Sequence, residues 1–277
     1  MLLPLIQVDA FADGPFTGNP AAVMMLPRWL PDAVLQGMAA DNNLSETAYL
    51  VPHDGPDADF QLRWFTPKLE VALCGHATLA SGHVVLDALP QLAEARFLTA
   101  KAGILTVARD GDGLAMRLPA WPAQRRISGA EAAAIAASLG ASPSEIWARS
   151  DDYLVAMFDS PDEVRALKPD YAAILALAPG IDLMLIATAP GEQSDVLSRV
   201  FVPACGVDED PVTGSAHAVI APLWAARFGR DRFSAVQASV RGGCLDCTVA
   251  GDTVILRGRA RTVIRGEYDL PDGALAR

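Results

Sequence analysis

Cysteine is scarce in this 277-residue chain, which has only four, so no disulfide framework is expected. Cys244 and Cys247 form a single C-x-x-C in strand-like sequence, and without a second pair this spacing predicts structural residues. The chain also lacks an apolar run of the ~20 residues that span a bilayer, and a basic N-terminal region followed by an apolar run and a cleavage site. A cytoplasmic location without a membrane partner is therefore expected.

Positively charged residues are also few, because the chain has 22 Lys and Arg and 33 Asp and Glu, which give a formal net charge of −11. No basic tract is present, so nucleic acid is not an expected partner. The phosphate-binding patterns G-x-x-x-x-G-K-[ST] and G-x-G-x-x-G are both missing. Apolar residues make up 51% of the chain and charged residues 20%, a balance typical of proteins with well-packed cores.

Two similar glycine-led segments lie half a chain apart. One reads Leu73-Cys74-Gly75-His76-Ala77-Thr78-Leu79-Ala80, and the other reads Asp210-Pro211-Val212-Thr213-Gly214-Ser215-Ala216-His217-Ala218. Each glycine opens a stretch of small apolar residues that predicts a helix, over residues 75–89 and 214–228. Because a helix N-terminus presents unpaired N–H groups and partial positive charge, the two termini predict a two-lobed protein that grips a small anion.

The predicted elements follow the same order in both halves, namely strands, a loop, the glycine, an apolar helix and more strands. A helix that is apolar on every face must be buried on every face, and a sheet rolled around it would achieve this. The pattern predicts an α+β fold of two similar lobes, residues 1–120 and 121–277, with the last strand allowed to return to the first lobe. Predicted strands cover residues 5–11, 21–26, 47–51, 60–65, 104–108, 114–118, 183–188 and 198–202.

Two serines carry the spacing of a capping box, in which a serine and a glutamate three residues later satisfy each other's backbone amides. Ser128 precedes Glu131, and the helix opened there is expected to end near Gly140. Ser160 precedes Glu163, with a proline at the first helical position.

Three ionisable residues, Glu46, His76 and Asp210, are candidates for chemistry. Glu46 lies between a predicted helix and strand, where it is either a solvated loop residue or a desolvated carboxylate that accepts protons. His76 lies at a helix start, which disfavours imidazolium, so a neutral imidazole is expected; a capping or core role is the alternative. Asp210 precedes Pro211, which also suits a simple turn or cap.

Neither a metal nor a pair of catalytic thiols is expected. No H-x-x-x-H or H-E-x-x-H spacing accompanies the three candidates. Cys74 lies at a helix start, where a thiol pKa can be lowered. A two-cysteine epimerase would need a second thiol before Gly214, but that position is Thr213.

Five motifs in order along the chain carry a family resemblance. They are Asp9-Ala10-Phe11, Phe16-Thr17-Gly18-Asn19-Pro20-Ala21-Ala22-Val23, Asn43-Leu44-Ser45-Glu46-Thr47, Cys74-Gly75-His76-Ala77-Thr78 and Glu209-Asp210-Pro211-Val212-Thr213-Gly214-Ser215-Ala216. Together they resemble the PhzF-like family of phenazine-biosynthesis isomerases and their relatives. The chain departs from many close phenazine enzymes at Cys74 and Ala77, where those enzymes resemble Ala-Gly-His-Pro.

The resemblance implies the diaminopimelate-epimerase-like fold, with two lobes that each roll a mostly antiparallel sheet around a central helix and a site in the cleft between them. It implies homodimers and no cofactor. Glu46 matches the catalytic glutamate that moves a proton between carbons, and His76 and Asp210 match the other catalytic polar residues. The resemblance also implies substrate-binding positions at Gly75, Gly214, Ser215 and Asn19. At the first three of these, backbone amides hold a carboxylate.

These observations favour a cofactor-independent isomerase that moves a carbon-bound proton on a small carboxylate, with Glu46 as general acid and base. One alternative is an amino-acid racemase or epimerase that uses Cys74. Another is a carboxylate-binding protein without catalysis on the same scaffold.

Overall fold

The computed structural model describes residues 1–150 and 152–274. Contacts divide the chain into two compact units. The first contains Met1–Arg117 and the stretch that begins at Arg257, and the second contains Leu118–Leu256. Among the described residues, no helix combines the length and apolarity needed to cross a membrane.

Strands outnumber helices along the described chain. The N-terminal part contains β1 (Leu2–Ala10), β2 (Asn19–Met25), α1 (Asp32–Asn42), β3 (Glu46–Pro52), β4 (Phe60–Phe65), β5 (Glu70–Val71), α2 (Gly75–Ala88), β6 (Glu94–Thr99), β7 (Ile104–Asp110) and β8 (Gly113–Pro119). The middle part contains β9 (Arg125–Ile127), α3 (Gly129–Leu139), β10 (Glu145–Ser150), β11 (Tyr153–Met157), α4 (Pro161–Ala166), α5 (Tyr171–Leu177), β12 (Met184–Pro190), β13 (Val196–Val202), β14 (Val207–Asp210), α6 (Gly214–Phe228), β15 (Arg232–Gln237), β16 (Gly243–Ala250) and β17 (Thr253–Gly258). The last strand is β18 (Ala260–Asp269). Every strand predicted from the sequence is present, with ends shifted by no more than three residues.

The two units repeat one pattern of strand pairing. In the first unit, β1 pairs antiparallel with β18 and β2, β2 pairs parallel with β3, β3 antiparallel with β4, and β4 parallel with β6. In the second unit, β10 pairs antiparallel with β9 and β11, β11 parallel with β12, β12 antiparallel with β13, and β13 parallel with β15. In both, the long apolar helix precedes the last of these strands. The internal duplication predicted from the glycine-led segments is thus visible in the topology.

The helix α2 is buried around nearly its whole circumference, as its composition predicts. It packs against β1, β2, β3, β6 and β7 of its own unit. A Cβ atom at Gly82 would lie 2.3 Å from a methyl carbon of Val107, so glycine permits the helix to approach the sheet this closely. The counterpart α6 is buried from Gly214 to Ala221, and it includes Pro222 without ending there.

The two predicted capping boxes have different outcomes. At α4, Ser160 accepts from the amide of Asp162 and Glu163 accepts from the amide of Ser160, which confirms that prediction. At α3, Ser128 precedes the helix but its side chain makes no capping hydrogen bond, so that prediction is wrong. Glu131 instead binds the guanidinium of Arg125 at 3.1 Å, an interaction that the local spacing does not reveal.

Candidate functional site

Three elements of the first unit bring a group of polar residues together. Asn19 is the first residue of β2 and Glu46 is the first residue of β3, and these strands are parallel with Ala21 opposite Glu46. Cys74 immediately precedes α2, and His76 is its second residue. Parallel neighbours begin at the same sheet edge, so the strand starts and the helix start place the side chains side by side.

The imidazole of His76 lies at the centre of this group. Its Nε2 lies 3.0 Å from a carboxylate oxygen of Glu46, within ion-pair distance but without the alignment of a hydrogen bond. Its Nδ1 lies 3.0 Å from the side-chain nitrogen of Asn19 and 3.5 Å from the sulfur of Cys74. The His76 side chain is 3% exposed, whereas that of Glu46 is 16% exposed. Glu46 is therefore the member of this pair that solvent or a small molecule can reach.

The protonation of His76 differs from the sequence-based expectation. Burial lowers the pKa of His76, but the neighbouring Cys74 and the Glu46 carboxylate raise it, and the net direction is well above its usual value. This direction is opposite to the neutral imidazole expected from the helix start, because the contacts with Cys74 and Glu46 outweigh the effect of burial. The amide of Asn19 can turn either its nitrogen or its oxygen to Nδ1, so it suits both protonation states of the imidazole.

Cys74 is a protonated thiol at neutral pH. Burial raises the pKa of the Cys74 thiol to about 11, and the Glu46 carboxylate acts in the same direction. A lowered pKa at the helix start is therefore not found, since the thiol is buried beside a negative charge rather than exposed to solvent.

The donor atoms of Glu46, Cys74 and His76 lie within 4.8 Å of one another, and these residue types are zinc ligands in many proteins. The imidazole, however, turns Nε2 to the carboxylate and Nδ1 to the thiol. A metal bound through one imidazole nitrogen would need both other ligands to face that nitrogen. The arrangement suits proton exchange along the ring better than metal coordination.

A second polar group lies at the start of α6 in the second unit. Asp210 ends β14 and is 9% exposed, and its carboxylate accepts a hydrogen bond from the hydroxyl of Thr213. Gln237 is fully buried; it accepts from the amide of Thr213 at 2.8 Å and donates to the carbonyl of Asp210 at 2.6 Å. Ser215, in the first turn of α6, lies beside Tyr153, whose hydroxyl has a pKa that burial raises and the serine partly lowers.

The predicted site residues fall into two sets, one in each unit. The first set is Asn19, Glu46, Gly75 and His76, and the second is Asp210, Gly214 and Ser215. The predicted site residues do not include Tyr153 or Gln237, which come from strands distant in the sequence. Neither residue belongs to a motif, because Tyr153 begins β11 and Gln237 ends β15, a strand that also contains Arg232 and Ser234.

His217 lies in the first turn of α6 and gives a prediction for stability. It is fully buried, and its Nδ1–H donates to the carbonyl of Thr213 at 2.8 Å. Burial lowers the pKa of His217 to about 4. In the unfolded chain the pKa is about 6.5, so the unfolded state binds more protons as pH falls from 6.5 toward 4. Stability from this residue is complete above pH 6.5 and is lost in that window.

We expect the wild-type protein to lose about 2 to 3 kcal/mol more free energy of unfolding than His217→Thr between pH 7 and pH 4.5. Urea unfolding of both proteins at the two pH values measures this difference, because the other titrating groups are common to both. An equal pH dependence would show that His217 is not the buried neutral imidazole that the structure indicates.

Comparison with known proteins identifies the family of the chain. Residues 8–266 match the family model described as phenazine biosynthesis-like protein (PhzC-PhzF). An uncharacterized isomerase of Pseudomonas aeruginosa is 45% identical over 271 residues, which are 98% of this chain and 100% of the relative. A crystal structure of a PhzF-family phenazine biosynthesis protein from Enterococcus faecalis has a TM-score of 0.86 and 38% identity, covering 98% of this chain and 100% of that one.

A more distant structure supports the fold alone. A probable proline racemase from Agrobacterium radiobacter has a TM-score of 0.63 at 12% identity, covering 98% of this chain and 95% of that one. These neighbours confirm the predicted α+β, diaminopimelate-epimerase-like fold. The family match and the high identity over nearly the whole length show that the chain belongs to the phenazine biosynthesis-like (PhzF) family and is an isomerase.

Proposed function

We propose that the protein is a cofactor-independent isomerase that moves a carbon-bound proton on a small carboxylate, with Glu46 as the general acid and base. The observation that carries this proposal is the pairing of Glu46 with His76. The partly exposed carboxylate lies 3.0 Å from a buried imidazole, whose other nitrogen is held by Asn19. Such a pair can accept a proton, keep it near the substrate and return it.

In the proposed reaction, Glu46 takes a proton from a carbon that is acidified by conjugation, and the electron pair of the C–H bond enters the conjugated system. The same proton, or one exchanged with solvent through His76, is delivered to another carbon of that system. No atom is gained or lost, and a double bond has moved. Each unit offers amides at a helix start that suit a carboxylate, at Gly75 in the first unit and at Gly214 and Ser215 in the second.

Asp210 lies in the second unit, and in this proposal it orients the substrate or relays a proton. We also propose that the substrate is a small carboxylate and that the protein forms the homodimer implied by the family resemblance. Size-exclusion chromatography with light scattering tests the dimer, which would have twice the mass of the chain.

Deuterium transfer from solvent tests the reaction class. The wild-type enzyme is incubated in D₂O with dihydro-hydroxyanthranilate, then with a panel of small amino and hydroxy acids, and mass spectrometry measures the label on carbon. Enzyme-dependent incorporation supports the isomerase, and heat-inactivated enzyme is the control. Carboxylate binding without incorporation across the panel would favour the non-catalytic binding protein instead.

The second candidate is a racemase or epimerase that uses Cys74, and the 3.5 Å contact between its sulfur and His76 Nδ1 favours it. The protonated state of the thiol argues against a thiolate base at neutral pH. We therefore expect Cys74→Ser to retain turnover within about threefold of wild type, whereas a thiol-dependent racemase would lose about 100-fold or more. Turnover in the deuterium assay measures this directly.

Alkylation with iodoacetamide provides the matching chemical measurement. Because the pKa of the Cys74 thiol is about 11, its alkylation is expected to be slow at pH 7.5 and to accelerate toward pH 11. Peptide mass spectrometry separates it from the half-buried Cys205 and Cys244. Rapid alkylation of Cys74 at pH 7.5, with parallel loss of activity, would favour the racemase.

A further inference from the structure

The start of α6 repeats the backbone of the start of α2 with different side chains. Cys74 and Thr213 each directly precede the helix-opening glycine and have extended backbones, with φ −137° and ψ 110° against φ −114° and ψ 103°. Each has its carbonyl held by the side chain four residues later. The hydroxyl of Thr78 donates to Cys74 at 2.6 Å, and the imidazole of His217 donates to Thr213 at 2.8 Å. Thr213 is therefore the positional counterpart of Cys74.

Neither side chain caps its own helix, although threonine is a favoured capping residue. Instead, each one turns toward an ionisable residue of the proposed machinery. The sulfur of Cys74 contacts His76, and the hydroxyl of Thr213 donates to the carboxylate of Asp210. A hydrogen bond from a hydroxyl to a carboxylate is charge-assisted, so it restrains the carboxylate strongly.

The backbone of the Asp210–Thr213 loop has supports of its own. Gln237 binds the carbonyl of Asp210 and the amide of Thr213, and His217 binds the carbonyl of Thr213. The hydroxyl of Ser239 also donates to the carbonyl of Pro211, at 2.9 Å. The Thr213 hydroxyl also accepts a hydrogen bond from the side-chain nitrogen of Gln237, at 3.1 Å. Because the other bonds already hold the main chain through its own groups, the proton that the hydroxyl donates acts chiefly on the Asp210 side chain.

We infer that Thr213 is a positioning residue whose hydroxyl fixes the direction of the Asp210 carboxylate. The inference rests on the proposed function in one respect, namely that Asp210 acts on the substrate. In the first unit, Cys74 contacts His76. At the matching position of the second unit, Thr213 replaces a thiol and holds the Asp210 carboxylate in a fixed direction.

Two variants at Thr213 test the inference. Thr213→Val keeps the shape and removes the hydroxyl, which donates to Asp210 and accepts from Gln237. This variant is expected to lower kcat for deuterium transfer by about 10- to 100-fold, with KM within about threefold. Thr213→Ser restores the donor, and it is expected to recover kcat to within about threefold of wild type. The matched control is Thr188→Val, which removes another buried hydroxyl of the same unit; Thr188 bonds Leu197 and Trp224. A merely structural loss would appear in the control and would not be rescued by serine.

Crystal structures of Thr213→Val and Thr213→Ser provide a readout that needs no substrate. In Thr213→Val, the Asp210 carboxylate is expected to rotate while the loop backbone stays in place, and in Thr213→Ser it is expected to keep the wild-type direction. An unchanged carboxylate in Thr213→Val, or an unchanged kcat, would overturn the inference. If the wild-type enzyme transfers no deuterium to any compound tested, the proposed function fails, and the pair of structures still decides the role of Thr213.

Discussion

Replacement of Glu46 by glutamine is expected to lower kcat for deuterium transfer to carbon by about 1,000-fold or more. Glutamine has the same size and can still lie against His76, but an amide cannot accept a proton from carbon at neutral pH. Within the first-unit group, Glu46 is the carboxylate that is both partly exposed and in direct contact with the imidazole. KM is expected to change little, because the amides proposed to hold the substrate carboxylate are untouched.

Glu94→Gln is the matched control, because Glu94 is also the first residue of a strand in the same unit but is exposed. It should retain wild-type turnover. Steady-state deuterium incorporation by mass spectrometry, with unfolding curves for all three proteins, separates loss of chemistry from loss of folding. Turnover by Glu46→Gln within tenfold of wild type would remove Glu46 from the proton transfer.

The sequence predicts this first-unit group well because its members lie in local motifs. The glycine before His76 and the small apolar residues after it predict a buried helix whose start is the site edge, and the structure places α2 accordingly. Glu46 lies between a helix and a strand in sequence, and it begins β3 beside Asn19 of β2. What the motifs do not reveal is which imidazole nitrogen faces which partner.

The second-unit group depends more on contacts between residues distant in sequence. Gln237 lies 24 residues after Thr213 and binds its amide, and Tyr153 reaches Ser215 from β11. No spacing rule predicts such contacts, because strand pairing in the folded unit decides them. Protonation states are missed for a similar reason. The helix-start argument applied to His76 and Cys74 considers one local effect. Burial and the Glu46 carboxylate both raise the pKa of Cys74, whereas at His76 burial lowers the pKa and the contacts with Cys74 and Glu46 outweigh it.

Replacement of His76 by glutamine is expected to lower kcat by about 100- to 1,000-fold. Glutamine can donate a hydrogen bond toward Glu46, but it cannot take up and release a proton as the imidazole does. Because the pKa of His76 is raised, the wild-type imidazole keeps its proton through neutral pH and loses it as pH rises through the raised value. Wild-type kcat should therefore fall on the alkaline side, and His76→Gln should lack that decline.

The matched control is His83→Gln on the same helix, because the His83 side chain contacts Thr262 rather than Glu46. Burial lowers the pKa of His83, so its imidazole is neutral over the same pH range and contributes no alkaline decline. A pH–rate profile for each of the three proteins checks the prediction. If His76→Gln keeps the alkaline decline of wild type, that decline belongs to another group and His76 does not share its proton with Glu46. If His76→Gln loses both the rate and the alkaline decline, Glu46 and His76 act as one proton-carrying pair. The reacting carbon must then lie against the exposed side of Glu46, because the imidazole is buried behind that carboxylate.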